Sequence, residues 1–258
     1  MGIVNVTPDS FSDGGKFASR NAAVEYGMRL IEEGADMLDI GGESSRPGAQ
    51  AVPLGKELDR VIPVVEALAK TDVPVSVDTV KAEVMREAMN AGASLINDIN
   101  ALQGIDPDFM VGSEVALCLM HKQGEPLTMQ LAPSYNDVLA DVIRFLEKRV
   151  EAVVAKGIAR ERLVIDPGFG FGKTLAQNLE LLRHLESFKS LGLPILAGLS
   201  RKSMLGEITG KPVGERIHAS IAASLMAVER GASIVRVHDV GAMRDALSVF
   251  NRVEGTAA

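Results

Sequence analysis

Polar side chains of this sequence recur where short aliphatic runs end. Asp78, Asn97 and Asp166 each close or follow such a run. A carboxylate can accept two N–H groups from the amidine-like edge of a flat heterocycle, and an amide adds a donor and an acceptor. Each residue alone could equally be a loop cap. As a set of three, they predict a binding site for a nitrogen heterocycle.

A second set of residues is basic and suits the binding of oxyanions. It comprises Arg46, Lys202, Arg236 and His238, of which Lys202 and Arg236 fall at the last two aliphatic runs. Guanidinium and ammonium groups pair with phosphate and carboxylate oxygens, although most such side chains are simply solvated. Their placement indicates an anionic substrate group, with Arg201 in a structural or supporting role.

Asn5, after the first aliphatic run, is a candidate ligand for magnesium. Mg²⁺ prefers oxygen ligands, keeps most of its water and commonly holds substrate phosphates. The one cysteine, Cys118, lies within the apolar run Val115–Leu119. A single cysteine can form neither an intramolecular disulfide nor a metal cluster, so we interpret Cys118 as a buried structural thiol.

The glycine-rich stretch Gly168–Thr174 superficially resembles a phosphate loop. A Walker loop needs glycine five residues before Gly172, where this sequence has Pro167, and the dinucleotide fingerprint has a different glycine spacing. We therefore predict a turn in which the backbone approaches a flat ligand closely. Phe171 is a candidate stacking surface, whereas Phe169 is as well explained by core packing.

Short aliphatic runs alternate with segments of helical periodicity along the whole chain, which is typical of parallel sheets in α/β proteins. The predicted strands are Gly2–Val6, Met37–Ile40, Pro74–Val77, Ser94–Ile99, Val115–Met120, Leu163–Ile165, Pro194–Leu199 and Ser233–Val237. The predicted helices are Ala22–Glu33, Glu57–Lys70, Ala82–Asn90, Asn136–Lys156, Ala176–His184, Arg216–Arg230 and a last one after Val240, with Asp106–Gly112 the weakest.

Eight strand–helix units predict a single-domain (β/α)₈ TIM barrel over residues 1–258. In such a barrel the carboxyl ends of all strands meet at one face, which is where barrel enzymes react and where phosphates bind near strands seven and eight. Seven of the eight runs end in polar groups. Structural capping alone explains that pattern poorly, so we expect these groups to line one site.

Composition sets the broad class of the protein. Hydrophobic residues make up 47% and aromatic residues only 4%, which suits a core of aliphatic side chains between parallel strands and helices. The net charge of −7 gives no electrostatic footprint for nucleic-acid binding. No apolar run is long enough to span a bilayer, and the first residues do not form a targeting peptide. We expect a soluble, cytoplasmic protein.

Several segments, in this order along the chain, resemble those of dihydropteroate synthases, a family of pterin-binding enzymes. They cover nearly the whole sequence and are Met1–Gly15, Asp39–Gly48, Ser76–Thr79, Ile96–Asp98, Leu119–His121, Gln123–Gly124, Asp166–Lys173, Ser200–Ser203 and Arg236–His238. Ser45 stands where threonine is common in the family and keeps the hydroxyl. The family commonly has residues before the first strand, so we expect the natural start to lie upstream of Met1.

The resemblance implies a (β/α)₈ barrel, usually a homodimer, that joins a pterin diphosphate to p-aminobenzoate with Mg²⁺. It implies a pterin pocket and a diphosphate site formed by Ser45, Asp78, Asn97, Met120, Asp166, Lys202, Arg236 and His238. Asn5 would bind the metal, and Arg46 would bind substrate and help close the site. The p-aminobenzoate site would comprise Phe11, Pro47, Phe171, Lys202 and Ser203.

Two other activities compete with this interpretation. A methyltetrahydrofolate-type pterin methyltransferase would share the barrel and the pterin pocket but would have no use for a diphosphate clamp. The segments Ser200–Ser203 and Arg236–His238 argue against it. A pterin-binding protein without catalysis is the second alternative, and the complete polar segments near Asn5 and Arg46 argue against loss of the chemistry.

Overall fold

The computed structural model describes residues 1–6, 15–44, 49–124 and 128–255. Four predicted site residues lie outside these ranges, namely Phe11, Ser45, Arg46 and Pro47. The remaining ten predicted site residues can be placed.

The described residues form eight short parallel strands in the predicted order, and the first six make one sheet paired β1-β2-β3-β4-β5-β6. A second sheet pairs the last two strands. The strands are β1 (Gly2–Asn5), β2 (Leu38–Gly41), β3 (Val75–Asp78), β4 (Leu95–Asp98), β5 (Ala116–Met120), β6 (Leu163–Asp166), β7 (Leu196–Ala197) and β8 (Ile234–Val235).

Single bridges join the two sheets into a closed ring. Ile165 of β6 bridges Ile195 just before β7, and Gly2 of β1 bridges Val237 just after β8. The Ile3 amide donates to the Val237 carbonyl at 3.0 Å, and the Val237 amide donates to the Met1 carbonyl at 2.9 Å. The ring of eight parallel strands confirms the predicted (β/α)₈ barrel.

In the described residues an α-helix follows every strand except β4, as the alternation predicted, and two α-helices follow β7. The helices are α1 (Gly15–Glu32), α2 (Leu54–Leu68), α3 (Ala82–Asn90), α4 (Val138–Ala155), α5 (Leu175–Arg183), α6 (Ser203–Thr209), α7 (Ile217–Glu229) and α8 (Val240–Glu254). Within the described part of the chain, no helix is long and apolar enough to cross a membrane.

The structure corrects the predictions of one helix and two strands. The weakly predicted helix Asp106–Gly112 is a single 3₁₀ turn over Pro107–Met110, with proline at its start. The strands predicted at Pro194–Leu199 and Ser233–Val237 have only two ladder residues each, because their outer residues make isolated bridges. The turn after β7 leads directly into the short helix α6, which Gly210 ends in a left-handed conformation at φ 69°.

Side-chain alternation along the strands decides which residues face the inside of the barrel. Leu95, Cys118 and Val164 share a buried cluster with Leu196 and Met1, whereas Ile96 and Ile165 pack in the larger cluster against the helices. Two positions further along their strands, Leu95, Cys118 and Val164 are followed by Asn97, Met120 and Asp166 on the same inner face. The inner face is therefore apolar in the middle of the barrel and polar at its carboxyl end.

Burial raises the pKa of the Cys118 thiol well above its usual value, and nearby carboxylates raise it further. The thiol stays protonated near neutral pH and is therefore a poor nucleophile. This agrees with the structural role predicted for Cys118.

Candidate active site

A cavity of about 340 Å³ opens at the carboxyl ends of the strands. All ten described residues of the predicted site line it: Asn5, Asp78, Asn97, Met120, Asp166, Phe171, Lys202, Ser203, Arg236 and His238. The prediction that separate strand ends share one mouth is therefore confirmed for these residues.

A buried carboxylate on β2, Asp39, organises one wall of this cavity. Asp39 is fully buried and accepts hydrogen bonds from Ser76 Oγ at 2.5 Å and from Asn97 Nδ2 at 3.2 Å. Its Oδ2 also accepts from Arg236 Nε at 2.5 Å. Arg236 Nη2 donates in addition to Asp78 Oδ2 at 3.1 Å. Asp39 therefore orients two of the predicted site residues, the amide of Asn97 and the guanidinium of Arg236.

The pKa values of this network follow from burial and from pairing. Burial lowers the pKa of Arg236, but the carboxylates of Asp39 and Asp78 more than offset this and leave the pKa raised. Burial raises the pKa of Asp78 despite the nearby Arg236 charge. Arg236 thus remains a fixed cation in the wall of the cavity.

The amide of Asn97 is oriented by Asp39. Because Nδ2 donates to Asp39, Oδ1 faces the other way, and this buried oxygen has no hydrogen-bond partner among the described residues. An unsatisfied buried acceptor costs about 1–3 kcal/mol. Since Asn97 lines the cavity, a ligand N–H group can supply the missing donor.

Asp166, at the end of β6, is the second acceptor offered to a ligand. Its Oδ1 accepts from the Gly168 amide at 2.7 Å, which leaves Oδ2 for a donor in the cavity. Burial raises the pKa of Asp166 from 3.8 to about 6, against the Gly168 hydrogen bond and the charges of Lys202, Lys173 and Arg236. The carboxyl group is therefore mainly ionised near neutral pH.

The glycine-rich segment after Asp166 forms the predicted turn between strand and helix, and its backbone packs closely against His121 and Gln123. Gly168, Gly170 and Gly172 all have positive φ angles, between 63° and 79°. Lys173 is buried and donates to the carbonyls of Gly168 and Phe171, so its ammonium does not point at the cavity as a Walker lysine would point at phosphate. The rejection of a phosphate loop is thus supported by the geometry.

We expect Gly168→Ala to destabilise the fold strongly. A Cβ atom at Gly168 would lie 1.8 Å from the carbonyl oxygen of His121, and the φ of 71° is itself unfavourable for alanine. Thermal denaturation should show a loss of several kcal/mol, on the scale of the larger single-residue effects. Gly192→Ala is the matched control, because φ is similar at 63° and no atom lies within 4 Å. Equal losses in both variants would contradict the steric argument.

Lys202 and Phe171 also line the cavity and contact each other. Lys202 Nζ lies 4.1 Å from the centre of the Phe171 ring, a cation–π contact. Phe171 packs against Ile99, Met120 and Met129 in a small buried cluster, which holds the ring in place. Ser203 begins α6 next to Lys202. The Phe171 ring thus offers an apolar surface beside the Lys202 cation.

His238 is held by Ser200, a residue that the sequence analysis assigned no role of its own. Ser200 Oγ lies 2.9 Å from His238 Nδ1 and accepts from the His238 amide at 3.2 Å. Arg201 has φ 58° and forms a two-point ion pair with Asp239 at 3.1 and 2.5 Å. These bonds join the ends of β7 and β8, and Arg201 has the supporting position predicted for it.

Two polar strand ends predicted at the mouth do not line the described cavity. Asp98 faces outward because it alternates with Asn97, and it accepts from the amides of Asn100 and Leu102, both at 2.7 Å. This stabilises a turn in which Ala101 and Leu102 have φ 49° and 54°. His121 binds Lys173 instead, with 2.9 Å between Nδ1 and Nζ.

Asp39 was not among the predicted site residues. One signal was available, since Asp39 interrupts an otherwise aliphatic strand and has the same inward parity as other cavity residues. A charge at that position is unfavourable unless it is paired, and its partners lie on β3, β4 and β8.

The chain is similar to known pterin-binding enzymes. The profile of the family described as pterin binding enzyme matches residues 1–238. A dihydropteroate synthase of Haemophilus influenzae is 51% identical over 254 residues, which cover 97% of this chain and 92% of that protein.

Two solved structures of Xanthomonas albilineans dihydropteroate synthase are also similar. The one with 4-aminobenzoic acid has a TM-score of 0.93 and 54% identity and covers 100% of this chain and 93% of the other. The one in complex with 7,8-dihydropteroate has a TM-score of 0.89 and 50% identity, covering 100% and 94%. By its fold, its matched length and its identity to these relatives, the chain belongs to the pterin-binding enzyme family.

Proposed function

We propose that this chain is a transferase that condenses 6-hydroxymethyl-7,8-dihydropterin diphosphate with p-aminobenzoate, giving 7,8-dihydropteroate and diphosphate. The observation that carries the proposal is that one cavity combines acceptors for a heterocycle with cations for an oxyanion. The relatives named dihydropteroate synthase and the structure of one of them with 7,8-dihydropteroate support it.

The pterin ring is assigned to the acceptor side of the cavity. Asp166 Oδ2 and the unpartnered Asn97 Oδ1 can accept N–H groups of the aminopyrimidine edge, which presents donors in a plane. Met120 and Phe171 supply apolar contact to the ring faces. Asp78 lies between this set and Arg236, so it completes the polar wall without adding another unpaired charge.

The diphosphate is assigned to the side lined by Arg236, His238 and Asn5. Arg236 stays cationic, and Ser200 orients the His238 ring, so both can receive the negative charge that grows on the leaving group. Asn5 offers an amide oxygen of the hard type that Mg²⁺ prefers, and the substrate phosphates and waters would fill the remaining positions. Bound there, Mg²⁺ would neutralise phosphate charge.

The order of bond changes follows from the leaving group. The C–O bond between the pterin methylene and the diphosphate breaks ahead of nitrogen attack, and the electron-rich ring held by Asp166 stabilises the resulting cation. The aniline nitrogen then forms the C–N bond and releases one proton, for which no strong base is needed. We assign p-aminobenzoate to the side lined by Lys202, Ser203 and Phe171. Lys202 would also contact the pterin ring.

A methyl transfer reaction remains the alternative on this fold. The paired Arg236 and the Ser200-oriented His238 favour a diphosphate substrate over it. From the resemblance we further propose a cytoplasmic homodimer built from single-domain subunits.

Release of diphosphate from the pterin diphosphate tests the proposal. We expect release only when both p-aminobenzoate and Mg²⁺ are present, with 7,8-dihydropteroate formed in equal amount. Chelation of Mg²⁺ should abolish the reaction, and adding the metal back should restore it. Diphosphate release without p-aminobenzoate, or none with all components, would contradict it.

A further inference from the structure

A buried lysine at the end of the glycine-rich turn is left without a role by the proposed function. Lys173 is 3% exposed, and no carboxylate is among its hydrogen-bond partners in the described parts of the chain. Burying an ammonium group is costly unless its donors are satisfied. The groups around Lys173 must therefore satisfy its three N–H donors.

Three acceptors surround the three N–H donors of the ammonium. They are the Gly168 carbonyl at 2.8 Å, the Phe171 carbonyl at 3.1 Å and His121 Nδ1 at 2.9 Å. Burial and the Lys173 charge lower the pKa of His121 to about 3, so the ring is neutral and Nδ1 can accept. The ammonium group is thus fully bonded, and two of its bonds hold peptides of the turn.

The rest of the turn is also fixed, by side chains from neighbouring segments. Asn178 Oδ1 accepts from the Gly170 amide at 2.7 Å, and Tyr135 donates to the Gly172 carbonyl at 2.8 Å. Lys173 donates to the carbonyls of Gly168 and Phe171. The same two residues contact cavity groups, because the Gly168 amide donates to Asp166 and the Phe171 ring contacts Lys202. A shift of this turn would move both cavity groups.

We propose that Lys173 is a positioning residue that sets the geometry of Asp166 and Phe171 and, in its protonated form, supplies a positive charge near the Asp166 carboxylate. Lys173 does not line the described cavity, so it acts through the residues that do. Its specific role rests on the proposed function of the site.

The electrostatic part of the proposal involves the charged groups around Asp166. Lys202 from the β7–α6 turn, Arg236 just after β8 and Lys173 all favour its ionised form, while burial disfavours it. In turn, Asp166 raises the pKa of Lys173, which burial and Lys202 lower to about 7. Cys118 on β5 remains protonated beside them. Removing the Lys173 charge should therefore raise the pKa of Asp166.

Two neutral variants separate the two roles. Lys173→Met keeps the length and removes both the hydrogen bonds and the charge, whereas Lys173→Gln removes the charge but keeps an N–H donor for a carbonyl. Lys156→Met is the control, because Lys156 is exposed and pairs with Asp106 far from the turn. Thermal denaturation first establishes which variants are folded.

The decisive measurement is the affinity for 6-hydroxymethyl-7,8-dihydropterin as a function of pH. Calorimetry gives this affinity for each variant and for the wild type, and the pH midpoints of the curves are compared. Both Lys173 variants should move the midpoint of binding upward by roughly 0.5–1 pH unit, the scale of one lost nearby charge. The KM for p-aminobenzoate should rise by roughly tenfold in Lys173→Met, equivalent to about one hydrogen bond, and less in Lys173→Gln.

A merely structural lysine would lower thermal stability in both variants without moving the binding midpoint or the KM of p-aminobenzoate, and that outcome would overturn the proposal. If Lys173→Met does not fold, the midpoint in Lys173→Gln decides. Pterin binding requires no turnover, so a wild-type protein that binds pterin but releases no diphosphate would refute the proposed reaction and leave this test intact.

Discussion

Arg236→Ala is expected to lower kcat for diphosphate release by on the order of 10²–10³-fold, the usual loss when one group that stabilises a developing negative charge is removed. Arg236 is the cation that links the β8 wall to Asp39 and Asp78, and it lines the cavity where the leaving group is placed. Steady-state kinetics with saturating pterin diphosphate and p-aminobenzoate measure the effect. A variant with full activity would remove Arg236 from the diphosphate site.

The same substitution should also destabilise the protein, because it leaves the fully buried Asp39 without its guanidinium partner. Breaking a buried pair in this way typically costs about 3–5 kcal/mol. The double variant Asp39→Asn with Arg236→Ala removes the uncompensated charge as well. It should regain part of the thermal stability and none of the activity, which separates loss of folding from loss of catalysis.

Asp166→Asn is expected to weaken pterin binding by at least about 1.5 kcal/mol, the scale of a hydrogen bond to a charged group. The asparagine can still accept from the Gly168 amide but replaces the free carboxylate oxygen with a neutral group. Calorimetry with the pterin measures the change at pH 8. Asp98→Asn is a matched control, since Asp98 is also buried but accepts hydrogen bonds from backbone amides and does not line the described cavity. Unchanged affinity in Asp166→Asn would exclude the assigned role.

The same variant should be more stable than the wild type in neutral and alkaline solution. Burial raises the pKa of Asp166 from 3.8 to about 6, so the folded state favours the protonated form. Its stabilising contribution is complete below the unfolded pKa and is lost as the pH rises toward about 6. At pH 8 the charged group costs roughly 3 kcal/mol, since each pKa unit corresponds to about 1.4 kcal/mol.

Thermal denaturation of both proteins between pH 4 and pH 8 checks this stability difference. The advantage of Asp166→Asn should shrink as the pH falls toward 4, where the wild-type carboxyl becomes protonated. The affinity of the wild type for pterin should also fall below about pH 6 as the carboxylate is lost. A stability difference that does not vary with pH would contradict this account of the burial of Asp166.

The sequence by itself determined the fold class and most of the described candidate site. Aliphatic runs separated by helical periodicity predict parallel β/α units because burial on both faces requires apolar strands. The polar residues that interrupt or follow these runs, such as Asp78, Asn97 and Asp166, were predictable because such groups are unfavourable in a core unless they have a role there. Identification of the family relied on the resemblance of ordered segments.

Only the tertiary structure decided how these residues are paired and oriented. Asp39 accepts a hydrogen bond from Arg236, which lies 197 positions away in the chain. This contact exists because the ring of strands closes between β8 and β1. The direction of Asn97 Oδ1 depends on that same carboxylate. Asp98 and Asn97 are adjacent in sequence but face opposite sides, since the strand alternates. Local pattern specifies which groups are present, whereas hydrogen bonding between distant strands selects which of them a ligand can reach.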